Sequence, residues 1–103
     1  MGINVVLQDE NYNELSPMIF DPAQTFTHSL PDPDDESFSC IRFIDPYGDT
    51  IFNRYQAQVM INEWDRLKNT FVETNEEKQW EEIRQLIVRC SEEPHLYLKF
   101  IGD

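Results

Sequence analysis

Apolar and polar positions follow distinct periods along the chain, and these periods predict its secondary structure. Residues 3–7 form a short apolar run rich in β-branched side chains, which is typical of a first strand. Residues 8–37 have no helical period and contain four prolines, so we expect a loop whose segments 18–20 and 25–27 dock on the core or add a short edge strand. Residues 95–101 alternate between apolar and polar positions, which predicts a closing strand.

A turn sequence in the middle of the chain predicts a β-hairpin. Two apolar runs, 40–44 and 50–52, flank the four residues that begin at Asp45. Asp45 accepts a bond within the turn, Pro46 fixes φ, and Gly48 suits the left-handed position of a type I turn with a bulge.

Two amphipathic helices are predicted after the hairpin. The first begins at Asn53, a good N-cap, and runs to residue 70. Its apolar face recurs at three- and four-residue steps and contains Ala57, Met60, Ile61, Trp64, Leu67 and Phe71. The second begins at Thr74, because residues 74–77 match a capping box, and ends at Pro94. Its buried face contains Trp80, Ile83, Leu86, Ile87 and Cys90.

The order of these elements indicates the fold class. The chain is expected to run strand, long acidic loop, two hairpin strands, two helices and a last strand. This order favours an α+β fold with a small, mainly antiparallel sheet and two helices packed on one face. Its 103 residues suit one domain, 1–103.

Charge changes the functional picture more than any motif. Twenty acids against eight bases give a formal net charge of −12. Residues 9–37 hold eight of the acids and no Lys or Arg, and residues 73–93 hold seven acids against three bases. Such a chain repels nucleic acids and anionic membranes and attracts basic protein surfaces over long range. We therefore predict a protein partner with a basic surface, no nucleic-acid partner and no membrane partner.

Candidate chemistry is sparse, so we predict a protein that is not an enzyme and takes no cofactor and no metal. Cys40 and Cys90 are isolated, as are His28 and His95, whereas disulfide frameworks and zinc sites need closer spacing. The acidic tip at residues 31–36 lacks the glycine and distal glutamate of a calcium loop. No apolar run approaches the ~20 residues of a membrane span, and a cytoplasmic location is expected.

Two segments carry a resemblance. Residues 42–50 (RFIDPYGDT), Gln56 and residues 95–103 (HLYLKFIGD) resemble a group of short bacterial proteins of unassigned function. The likeness covers about the last two-thirds of the chain and leaves out the acidic loop. In size and acidity the chain also resembles the immunity proteins that accompany secreted bacterial toxins. That resemblance of type implies a cytoplasmic inhibitor that binds and blocks a cognate toxin.

The predicted interface consists of two acidic patches and two aromatic anchors. The loop patch comprises Asp32, Asp34, Asp35 and Glu36, whose carboxylates we expect to be solvated and unpaired. The helix patch comprises Glu73, Glu76, Glu77 and Glu81. Phe38 and Tyr47 are expected to be exposed anchors, since aromatic residues carry much interface energy. Two alternatives stay open: a non-catalytic adaptor or structural subunit that is acidic for solubility, and a nucleic-acid mimic that inhibits DNA-binding proteins.

Overall fold

The sheet has three antiparallel strands, and the computed structural model that contains it describes residues 2–103. The strands are β1 (Asn4–Asp9), β2 (Asp49–Phe52) and β3 (Leu96–Ile101). Their spatial order is β1-β3-β2, so the C-terminal strand is central and pairs with both others.

Side chains alternate between an inner and an outer face of this sheet. The register places Val5 opposite Phe100 and Leu7 opposite Leu98, and all four are buried on the inner face. The outer face carries the half-buried or exposed residues Ile51, Tyr97 and Lys99, together with Val6 and Gln8 of β1, which are buried. The alternation predicted for residues 95–101 is therefore confirmed.

Helices cover the inner face. They are α1 (Thr25–Ser29), α2 (Arg54–Asp65), α3 (Lys68–Glu73) and α4 (Glu77–Glu92). Helix α2 begins where expected, because Asn53 Oδ1 accepts from Gln56 N at 3.0 Å and Gln56 Oε1 accepts from Asn53 N at 2.8 Å. This reciprocal pair is a capping box.

The two tryptophans tie α2 to α4. Each indole N–H donates to the other residue's carbonyl oxygen, Trp64 Nε1 to Trp80 O and Trp80 Nε1 to Trp64 O, both at 3.0 Å. Both rings are buried, as the helical stripes predicted. Phe26 packs its ring 5.1 Å from Trp64 and 5.6 Å from Phe100, so α1 closes the aromatic core.

The α+β class, with helices on one face of a small antiparallel sheet, is confirmed, but the predicted hairpin is wrong. The run 40–44 contains a 3-10 turn, Ile41–Phe43, and no strand. β2 pairs with β3 at the other end of the sequence instead. The turn itself forms, with Tyr47 N bonded to Asp45 Oδ1 at 2.8 Å, but Gly48 does not have a positive φ.

The helix boundary predicted at Thr74 is also wrong. The first helix ends at Asp65, and α3 follows after Arg66 and Leu67. Asn75 has φ 61°, its N–H bonds Val72 O, and Glu76 N bonds Phe71 O at 2.7 Å. These bonds form a Schellman motif, so residues 74–76 end α3. Glu76 is also the N-cap position of α4, but no side chain makes a capping bond there, so the capping box predicted at Thr74 does not form.

The long acidic segment is mostly loop, as expected, and it packs on the core at two points. Val5 and Ile19 exchange two backbone hydrogen bonds of 2.9 and 2.8 Å, which add a short bridge to the edge of β1. Thr25–Ser29 forms a helix and not the edge strand considered for this segment. Its Phe26 side chain is completely buried.

Candidate functional site

The loop patch is built from two successive turns. Asp32 Oδ1 accepts from Asp34 N at 2.8 Å, and Asp35 Oδ1 accepts from Ser37 N at 3.0 Å and Ser37 Oγ at 2.6 Å. Asp35 N also donates to Asp32 O at 2.9 Å. Asp32 and Asp35 therefore hold the loop's own shape, so the expectation that all four carboxylates are unpaired is wrong.

Two of the four loop carboxylates face solvent without a partner. Among residues 2–103 no side-chain hydrogen bond or ion pair reaches Asp34 or Glu36, and both are exposed. Hydrogen bonds from Ser37, and then the charges of Arg66 and Arg42, lower the pKa of the Asp35 carboxyl below its usual value. The Asp35 carboxyl is thus ionised at neutral pH.

Two arginines hold this loop to the body of the molecule. Arg42 Nη1 donates to Pro33 O at 3.0 Å. Arg66 donates twice to Ser37, to its carbonyl at 2.8 Å and its hydroxyl at 3.0 Å. These bonds fix the loop's two ends, and the carboxylates project between them.

Phe38 was predicted to be an exposed anchor, and this prediction is wrong. Its side chain is only 6% exposed, because the Arg66 guanidinium lies 3.9 Å from the ring centroid and covers it. Phe38 thus belongs to the core under the loop. Tyr47, by contrast, is 82% exposed at the tip of the turn before β2 and fits the anchor role.

The helix patch lies where α3 meets α4. Glu73 ends α3, Glu76 is the N-cap of α4, and Glu77 begins the helix. Acid near a helix N-terminus is favourable with the helix dipole, so part of this patch has a structural role. Glu77 pairs with Lys68 Nζ at 3.8 Å, whereas Glu81 is exposed and makes no direct ion pair among residues 2–103.

The structure brings both patches to one corner. This corner is the turn between α2 and α3, formed by residues 66–68. Arg66 bonds to Ser37 at the end of the loop patch, and Lys68 pairs with Glu77 of the helix patch. Lys68 also lies 5.0 Å from the Trp80 ring. The two patches therefore flank the same short segment.

Two buried carboxylates were missed by the sequence analysis. Glu63 on α2 is 6% exposed and accepts from Ser39 N at 2.9 Å, Cys40 N at 3.1 Å and Ile41 N at 3.0 Å. It caps the 3-10 turn from across the core. Position 63 lies three residues after Met60 and four before Leu67, so helical spacing indicates its burial.

Asp21 is the second buried carboxylate, at 2% exposure. It accepts five hydrogen bonds, from Ile3 N, Phe26 N, Thr27 N, Thr27 Oγ1 and Gln79 Nε2, at 3.0 to 3.3 Å. It therefore joins the N-terminus, α1 and α4. The Asp-Pro pair at 21–22 is a sequence signal for a cap, but it does not indicate which distant groups will be bonded.

The cysteines are buried and poorly reactive. Burial raises the pKa of Cys90 to about 11, and burial together with the Glu63 charge raises the pKa of Cys40. Within residues 2–103 no three His, Cys, Asp or Glu side chains form a group suited to a metal ion. No helix in that range has the length and apolar character needed to cross a bilayer. The expected absence of catalysis, metal and cofactor stays a prediction.

No family model, curated protein or solved structure matches this chain. The resemblance of residues 42–50 and 95–103 to short bacterial proteins, and the likeness in type to immunity proteins, therefore stay predictions.

Proposed function

We propose that this chain is an immunity-type inhibitor that binds a basic bacterial toxin domain and blocks its active site. One observation carries the proposal: the loop patch and the helix patch flank a single corner and include exposed carboxylates that have no direct hydrogen-bond or ion-pair partner for their side chains among residues 2–103. Asp34, Glu36 and Glu81 are the clearest of these.

The physical basis is electrostatic competition with an anionic substrate. A toxin that acts on nucleic acid or nucleotides needs a basic cleft, and an acidic protein competes for that cleft. A net charge of −12 also speeds association with a basic partner and makes the rate sensitive to salt. Arg42 and Arg66 hold the loop in shape before binding, so less conformational entropy is lost on association.

Tyr47 provides the apolar component of the interface. Its 82% exposed ring leaves a large surface to bury, and the bond from Tyr47 N to Asp45 Oδ1 fixes its backbone. In this proposal the acids govern the association rate and Tyr47 governs the lifetime of the complex.

The test first captures a basic partner from lysate of the source organism and identifies it by mass spectrometry. Stopped-flow association with that partner is then measured at low and high salt. The double variant Asp34→Asn, Glu36→Gln should reduce the low-salt on-rate by about threefold to tenfold. The difference from the unmodified chain should disappear at high salt because ions screen it.

A matched control removes the same charge elsewhere. Glu14→Gln with Glu92→Gln also changes two exposed carboxylates that have no side-chain partner among residues 2–103. We expect this control to slow association less than the loop variant does. Equal slowing by both pairs would contradict a specific interface at the loop patch, and no complex at all would overturn the proposed function.

A further inference from the structure

The two edges of the sheet differ in whether another segment covers them. The edge of β1 is covered by the loop, since Leu15 N donates to Leu7 O at 2.8 Å and Ile19 bonds Val5. The edge of β2 has no such cover: among residues 2–103, no backbone hydrogen bond from a loop or helix reaches Ile51. An open edge presents unpaired N–H and C=O groups to a further strand.

The register fixes which groups of β2 point outward. Gly102 N donates to Gly48 O at 2.8 Å, so this pair bonds directly across the ladder. Bonded and non-bonded pairs alternate in an antiparallel ladder, so Thr50 and Phe52 bond β3 as well. The N–H and C=O of Asp49 and Ile51 therefore point away from the sheet.

A cleft on the outer face leads to this edge. Its volume is about 260 Å³, and it is lined by Gln8, Asp9, Glu10, Tyr12, Ile51 and Tyr97. The ring of Tyr12 is 76% exposed and the side chain of Ile51 is 45% exposed. Aromatic walls with carboxylates at one end suit a long cationic side chain.

Tyr12 is held in a conformation that costs energy. Its φ is 67°, which is unusual for a bulky residue. The Asp9 carboxylate fixes the turn by accepting from Asn11 N and Asn13 N, both at 2.9 Å. His95 Nδ1, 3.1 Å from Glu10 Oε2, joins this turn to the start of β3. The turn thus holds the Tyr12 backbone in a strained conformation while its side chain lines the cleft, and backbone strain of this kind clusters at functional sites.

We infer that β2 and the outer-face cleft bind an extended, Arg- or Lys-containing segment of another protein by strand addition. The backbone of that segment pairs with Asp49 and Ile51, and one cationic side chain extends over Ile51 to the rings of Tyr12 and Tyr97. The Asp49 carboxylate already lies 3.6 Å from Lys99 Nζ, but its side chain is 54% exposed, so it can accept a second cation on its open side. This inference stands on the sheet alone and does not depend on the loop patch.

Charge selects this occupant over a second copy of the chain. Two copies each carry a net charge of −12 and repel one another, whereas a cationic segment is attracted. Near the cleft and the edge, the carboxylates of Asp9, Glu10 and Asp49 outnumber the one lysine, Lys99, which pairs with Asp49. The local charge is therefore also negative and favours the same occupant.

The test follows backbone amide exchange by NMR while a short peptide of alternating Arg and Val is added to the whole chain. Exchange of the Ile51 amide should slow by about tenfold or more at saturation, because it gains a bond. The amides of Thr50 and Phe52 already bond β3, so they are internal controls and should change little. A peptide of alternating Glu and Val should bind far more weakly.

Two variants distinguish binding of the peptide at the cleft from nonspecific electrostatic attraction. Tyr12→Ala should weaken binding of the Arg-Val peptide by about threefold to tenfold. Phe20→Ala removes an aromatic ring that is 63% exposed and lies outside the cleft, and it should have no effect.

Three results would overturn the inference: an Ile51 amide that the peptide leaves unchanged, equal binding of the Glu-Val peptide, or Ile51 protection without peptide in a dimer seen by ultracentrifugation. The toxin kinetics use different variants, so either proposal can fail alone.

Discussion

Asp21 and Glu63 carry the same chemical group as Asp34 and Glu36, but the two pairs lie in opposite environments. The first pair is at most 6% exposed, and together its members accept eight hydrogen bonds. The second pair is exposed, with no side-chain partner among residues 2–103. Burial without partners would be costly for a carboxylate, so the buried pair is fully bonded.

This contrast shows that the net charge alone overstates the number of carboxylates that a partner can reach. Asp21 and Glu63 contribute to the −12 total, yet both hold loop backbone to the core. Asp32 and Asp35 are intermediate, because they are accessible but shape the loop patch. Asp34, Glu36 and Glu81 are therefore the carboxylates best placed to bind a partner, and substitutions can test this distinction between structural and accessible carboxylates.

The largest effect is expected at Asp21. Asp21→Ala leaves five donors without their acceptor, three of them backbone N–H groups, so unfolding free energy should fall by about 3–5 kcal/mol. Urea denaturation at neutral pH measures this. Asp21→Asn keeps the shape and one acceptor, and it should lose about 1–3 kcal/mol.

Glu14→Ala is the matched control for Asp21, since it removes an exposed acid of the same loop. Its effect should stay within about 0.5 kcal/mol. If Asp21→Ala and Glu14→Ala changed the urea midpoint equally, the distinction between buried and exposed carboxylates would be wrong.

A smaller effect is expected at Glu63. Glu63→Gln keeps one acceptor oxygen but loses the charge that strengthens three backbone bonds, so stability should fall by about 1–3 kcal/mol. The adjacent thiol reports the local change. Cys40 should react faster with a thiol reagent, because the loop opens more often and the Glu63 charge that raises its pKa is gone.

Cys90 is the internal control for this experiment. It lies on the buried face of α4, and burial raises its pKa to about 11. Its labelling should rise only as much as global unfolding does. Parallel acceleration of both thiols would mean that Glu63 stabilises the whole fold and not the 39–41 segment in particular.

Local patterns predicted the helices and the closing strand well because their signal lies within a few residues. The stripes around Trp64 and Trp80 and the cap at Asn53 are of this kind. The hairpin prediction was wrong because of a tertiary contact. The turn at Asp45 is real, but Glu63 holds the preceding segment in a 3-10 turn from 22 to 24 residues away. β2 then pairs with β3 instead.

The candidate site was partly predictable in the same sense. The loop patch and Tyr47 are exposed as their composition indicates. The burial of Phe38 could not be read from its neighbours, because Arg66, 28 positions later, covers the ring. The helix start predicted at Thr74 was wrong because the sequence of residues 74–76 also fits the C-terminal end of a helix. The left-handed backbone of Asn75 shows that this segment ends α3.

The smallest expected effect lies at Asp35, which is half-buried and bonded to Ser37. Its pKa is lowered in the folded chain, chiefly by Ser37, so its contribution to stability is present above the unfolded pKa of about 3.9 and is lost as pH falls through the folded value. Asp35→Asn should lower Tm by no more than about 4 °C at neutral pH, and the difference should vanish in strong acid. Asp34→Asn is the matched control, and its Tm should stay constant or rise slightly as self-repulsion falls. A deficit for Asp35→Asn that persisted in strong acid would show that its carboxylate charge does not hold the turn.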